Sequence, residues 1–94
     1  MPIEAKHHYH RELWTAWHTQ LDRLYTRDAQ AGGLGIYLIF WSGETEDRRL
    51  PQPPKGLTRP ASAAELKNAL ESLIPEEDKH RLRVVVMDIS VPSS

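Results

Sequence analysis

No cysteine occurs anywhere in the 94 residues, which excludes thiol catalysis, disulfide staples and any zinc site built on thiolates. Long apolar runs are also missing. The longest, residues 36–41, is far short of the roughly 20 residues that a membrane-spanning helix needs. The first residues carry no basic-then-apolar leader. Neither charge sign dominates: 12 Lys plus Arg stand against 13 Asp plus Glu, for a net charge of −1. Without a global cationic field, any contact with DNA has to be local. These absences together read as a soluble, cytoplasmic protein with no membrane partner.

What is present is the composition of one small folded domain. Hydrophobic residues make up 39% and charged residues 27%, too apolar a mixture for a disordered tail. Residues 2–10 alternate Ile3, Ala5 and Tyr9 with Glu4, Lys6 and His8, a two-residue period that predicts a short strand with a polar face. Over residues 11–27, Leu13, Trp14, Trp17, Leu21, Leu24 and Tyr25 recur at three- and four-residue spacing, which predicts an amphipathic helix with the tryptophans in the core. Gly32, Gly33 and Gly35 then resist helix continuation. They follow a helix and precede a strand, the reverse of the order a phosphate-cradling loop requires.

Residues 36–41, rich in β-branched and aromatic side chains, read as a strand buried on both faces. The segment from 43 to 60 is proline-rich and aperiodic, hence a long loop. Ser62 with Glu65 is a capping-box pattern ahead of the stripe Leu66, Ala69, Leu70, Leu73, and Pro75 stops that helix. Residues 82–91, led by Val84, Val85 and Val86, form a third strand, again expected to be covered on both faces. The fold class is therefore α/β, a small β-α-β-α-β unit with a thin three-stranded sheet and two helices. The motif-bearing β-α-β occupies 1–42, the proline-rich loop 43–60, and the helix plus strand 61–94. Two helices are too few to bury two such strands on both sides, so a further partner for the sheet is expected, either a second copy or upstream polypeptide.

The chemistry lies in Glu4-Ala5-Lys6. On a strand, a two-residue separation puts both charged side chains on one face, roughly 6.5–7 Å apart. A carboxylate is a hard oxygen ligand for Mg²⁺ or Mn²⁺, and a neighbouring ammonium can orient water or neutralise charge growing on a phosphate. His8 and His10 continue the same face, but Lys6 between Glu4 and His8 opposes a cation, which favours exposed histidines at a strand end over a histidine metal site. Gln20 falls on the apolar side of the predicted helix, where a buried amide wants a hydrogen-bond partner. Asp88 or Glu12 could approach Glu4, and Asp88 reads more simply as the exit of its strand to solvent.

Ile3-Glu4-Ala5-Lys6 on a strand, then a helix carrying Gln20 and Tyr25, then the strand at 36–41, resembles the second half of the PD-(D/E)XK nuclease core, the restriction-endonuclease-like fold, in its RecB-like branch. The resemblance covers residues 2–41. It implies a DNA nuclease in which Glu4 is a ligand of Mg²⁺ or Mn²⁺ and Lys6 is the catalytic lysine. Gln20 and Tyr25 would line the site or contact DNA, and His8 or His10 would donate to a DNA phosphate. In that family a further Asp stands on a strand upstream of the Glu-x-Lys strand. The expectation is therefore the C-terminal part of such a domain, incomplete by itself. The alternative from the same residues is a non-catalytic α/β interaction or oligomerisation module.

Overall fold

The computed structural model describes residues 3–27 and 34–90, with the side chains of 25–27 left outside that description. The chain runs β1 (Ile3–His7), α1 (Ala16–Arg27), β2 (Gly35–Trp41), α2 (Ala63–Leu73), a short 3-10 turn (Glu76–Asp78) and β3 (Leu82–Asp88). The three strands form one parallel sheet in the order β1-β2-β3. Consecutive parallel strands in sequence order, each crossing with the same hand, carry both connecting helices over the same side of the sheet. Burial agrees: Gly35, Tyr37, Ile39 and Trp41 of β2 are buried while Ile36, Leu38 and Phe40 between them are only half-buried.

Within this chain the two later strands, expected to be covered on both faces with the help of a further partner, are covered on one. The helices supply one layer only, and the other face of the sheet stays bare among the described residues. Ile3 and Met87 on that face are 59% and 48% exposed. The composition of β2 and β3 does read as two-sided burial, but no described element is left to provide the second layer.

Below the helices the core joins Leu13, Trp14, Leu21 and Leu24 to Tyr37, Ile39 and Trp41, and Leu66 and Leu70 of α2 to Leu82 and Val84. Trp14 and Trp41 are buried and Trp17 packs partly buried against them, in keeping with their placement in the core. Helix α1 crosses β2 closely at Gly35, where a Cβ would stand 3.1 Å from both Gln20 Nε2 and Leu24 Cδ1. The helix predicted over 11–27 begins only at Ala16. Residues 11–15 form turns instead, with the N–H groups of Leu13 and Thr15 donating to the carbonyls of His10 and Glu12, each at 3.0 Å. They leave the strand end and bend the chain over the sheet, a change of direction that an uninterrupted helix does not make.

Helix α2 follows its sequence signals. Ser62 Oγ accepts from the Glu65 N–H at 3.2 Å and the helix stops two residues before Pro75. The long loop is irregular as expected and is tied down at Leu50, which is buried. The Leu50 N–H donates to Glu44 at 3.0 Å, its carbonyl accepts from Arg59 at 2.8 Å, and Arg59 also bonds the Glu44 carboxylate. Among the described residues no helix is long and apolar enough to cross a membrane.

Candidate functional site

Strand β1 is an edge strand. Its register sets Glu4 beside Tyr37 and Lys6 beside Ile39, both of which lie under the helices. Neighbouring parallel strands carry paired residues on the same face. The polar face of β1 is therefore turned inward, towards the helix layer, and Ile3, Ala5 and His7 are turned out. That inverts the usual arrangement of a half-buried strand and draws two charged groups into the margin of the core.

Glu4 and Lys6 meet there. The Lys6 ammonium lies 3.7 Å from a Glu4 carboxylate oxygen, with the side chains 17% and 34% exposed respectively. Sheltering at this level reduces solvent screening without stripping the pair of water. Tyr37 lies next to them in the sheet, fully buried, its hydroxyl donating to the Leu13 carbonyl at 2.6 Å. Burial pushes the Tyr37 phenol well above its ordinary value, and the negative fields of Glu4 and then Glu12 push it further. Two carboxylates, one on β1 and one in the turn before α1, thus act on the same phenol. Glu12 is itself exposed, and its N–H donates to His10 Nδ1 at 3.0 Å.

The remaining expected residues divide. Gln20 is buried, with its Nε2 donating to the Ile36 carbonyl at 2.9 Å. Because that acceptor fixes the amide's orientation, its Oε1 is left buried without a partner among the described residues. Gln20 therefore braces α1 against the start of β2, and its free oxygen is the feature that suits a site residue. Tyr25 falls within α1, but its side chain lies outside the described residues. His10 is half-buried and belongs to the turn that leads into α1.

His8 requires a correction. It was expected on the open face with Glu4 and Lys6, ready for a phosphate, but the strand ends at His7 and the His8 ring is completely buried. Its Nδ1 accepts from the Ser42 N–H at 3.3 Å, so Nε2 is the donor, to the Arg48 carbonyl at 2.9 Å. Both nitrogens are used in joining the end of β1 to the end of β2 and to the long loop. The ring also packs against Trp41 at 4.9 Å. His8 holds the fold together and has no face left for a ligand.

Asp88 ends β3 on the far side of β2 from Glu4, and is exposed. Ser90 donates to it from both its hydroxyl, at 2.6 Å, and its N–H, at 2.9 Å, which holds the Asp88 carboxyl below the usual carboxylate range. Two strand spacings of about 4.8 Å separate β3 from β1, so Asp88 does not complete the Glu4 pair. Among the described residues no three His, Asp or Glu side chains gather as a metal site. Tyr37 is the participant that the sequence left unmarked. A tyrosine inside an otherwise apolar strand was the available signal, since a buried phenol requires an acceptor and fixes what lies above it.

The arrangement is an ion pair in partial shelter on an edge strand, with a second carboxylate in electrostatic range of the same phenol and an orphaned amide oxygen under the adjoining helix. No family model, curated protein or solved structure matches the chain.

Proposed function

We propose that this chain carries the Glu-x-Lys half of a PD-(D/E)XK-type nuclease site and takes part in the metal-dependent hydrolysis of DNA phosphodiesters once a further carboxylate is brought to it. One observation carries the reading: Glu4 and Lys6 stand together, half-sheltered, on the covered face of a strand whose other edge pairs with nothing among the described residues. A strand added along that edge would place its own side chains beside Glu4.

The residues present do not make a divalent-metal site alone. Mg²⁺ keeps near-octahedral oxygen coordination and takes one or two carboxylates besides phosphate, whereas Glu4 offers one and has a cation 3.7 Å away. The missing ligands are assigned to the completing polypeptide or to a second copy of the chain. Within the chain's own share of the work, Glu4 presents a carboxylate. Lys6 holds a positive charge, close to that carboxylate, that can compensate the charge developing on a phosphate. Tyr37, locked to the Leu13 carbonyl, keeps the floor beneath them rigid.

Plasmid and single-stranded DNA cleavage with Mn²⁺ and with Mg²⁺ tests this, comparing the chain with Lys6→Ala at equal concentration across a wide range. Metal-dependent cleavage that disappears in Lys6→Ala, with the circular dichroism unchanged, is expected. Cleavage surviving the substitution overturns the nuclease reading, and none with either ion up to the highest concentration excludes completion of the site by a second copy of the chain. The second reading, an interaction or oligomerisation module, would then stand on the bare apolar face of the sheet.

A further inference from the structure

Strand β3 is the edge opposite to Glu4 and Lys6, and among the described residues nothing pairs with its outer side. A groove of about 510 Å³ follows this edge, between it and α2. The consecutive residues from Leu82 to Val86 all line it. Side chains alternate between the faces of a sheet, so neighbours in sequence share one groove only where the groove runs along the edge of the strand itself. Such an edge presents unpaired backbone N–H and C=O groups, which a second extended backbone satisfies.

The rim is charged. Lys67, Lys79 and Arg83 line the groove against the single carboxylate of Glu71. Lys79 is held by Glu76 at 2.9 Å, whereas Lys67 and Arg83 are exposed and form no ion pair among the described residues. Ile74, Leu82 and three valines fill the rest of the wall.

We propose that the open edge of β3 binds an extended, acidic peptide segment of a partner protein as a fourth strand, its carboxylates answering Lys67 and Arg83 and its backbone completing the ladder. A second copy of the chain answers these charges less well. Antiparallel pairing of β3 with itself about a two-fold axis keeps like faces together, and Arg83 and Asp88 lie on opposite faces. Arg83 would then meet only Val85, Met87 or the Arg83 of the copy, none of which offers it a carboxylate. A polyphosphate backbone fits poorly too, because half of the edge's hydrogen-bonding groups are carbonyl oxygens and Glu71 stands in the wall.

The test uses the full chain and two fluorescein-labelled octapeptides, one repeating Val-Val-Glu-Glu and the other Val-Val-Lys-Lys so that charges fall on both faces of the added strand, read by fluorescence anisotropy at low and moderate salt. The acidic peptide is expected to bind at least about tenfold tighter, with an affinity that falls as salt rises. Methylating all of its backbone nitrogens, which blocks both edges of the extended peptide, should abolish binding, a control that leaves the protein untouched. Reversing both cations in a Lys67→Glu, Arg83→Glu variant, whose sites are exposed, should shift the preference to the lysine peptide. Equal affinity for the two peptides, binding indifferent to methylation, or binding of single-stranded DNA in place of the peptide overturns the proposal.

Discussion

Tyr37 and His8 are buried polar side chains that are fully committed to hydrogen bonds, and Tyr37 has a measurable consequence for pH. The phenol is protonated in the fold, where it donates to the Leu13 carbonyl, and ionising it would place an anion in the core close to Glu4 and Glu12. Its pKa is raised above the unfolded value, so its contribution is complete below about pH 10 and is lost as pH rises beyond that. Tyr37→Phe keeps the ring and removes the donor. At neutral pH it is expected to cost about 1–2 kcal/mol in urea unfolding, because the Leu13 carbonyl is left without its partner. Between pH 9 and 11 the difference from the parent chain should shrink, since the substituted chain has no phenol to ionise at that position. A difference that grows with pH would show the opposite linkage and exclude this account. At the same scale, the sequence marks His8 as polar and places it correctly after Lys6, but it carries no signal that the strand stops one residue earlier and turns the ring inward.

Between residues and fold lie the elements, and here the sequence was most informative where the signal was local. Ser62 three residues before Glu65, and Pro75 after the last apolar position, bound α2 because a cap and a missing N–H act on their own helix. The start of α1 was hidden because residues 11–15 keep helical spacing in Leu13 and Trp14 while the chain is turning to reach the sheet. Alternation in β1 identified a strand but not which of its faces is inward. Position beside Tyr37 and Ile39 decides that, and it depends on a pairing 33 residues away. The long loop shows the same limit. Nothing in a proline-rich segment announces the clamp of Glu44 and Arg59 on both backbone groups of Leu50. Arg59, and secondarily the Leu50 N–H, hold the Glu44 carboxyl below its ordinary range against the opposing effect of burial. A depressed carboxyl stabilises the fold above its unfolded pKa and loses that contribution as pH falls through the folded one. Glu44→Gln should therefore lower stability by about 1 kcal/mol or less at pH 7, as the pair is partly exposed, and flatten the loss below pH 4.5. Thermal melts of both forms from pH 3 to 7 check it. Parallel acid limbs would mean that the clamp does not titrate.

At the scale of the whole molecule the sheet, among the described residues, has two kinds of vacancy, one bare face and two open edges, and the bare face is the larger in energetic terms. Parallel sheets are ordinarily covered on both sides, and here Ile36, Leu38, Phe40 and Val85 sit half-buried with Ile3 and Met87 at the margins. Covering roughly 400 Å² of apolar surface is worth on the order of 10 kcal/mol at 25 cal/mol per Å². Association costs of similar size oppose it, which leaves a weak, concentration-dependent attraction for any partner that is not already tethered. Completion of the proposed site at Glu4 and Lys6 and covering of this face would be separate events, since that pair is on the other side of the sheet. The chain alone is therefore expected to bind an environment-sensitive dye such as anilinonaphthalene sulfonate and to self-associate as its concentration rises. Phe40→Lys should reduce both, because it puts a charge in the middle of the bare face, and should leave the melting temperature within a few degrees, because Phe40 is not part of the buried core. Sedimentation velocity over a hundredfold range of concentration supplies the readout. If the parent chain stays monomeric and dark to the dye, the face is not free in solution. Strong loss of stability in Phe40→Lys would lead to the same conclusion by a different route, since only a packed side chain costs that much to replace.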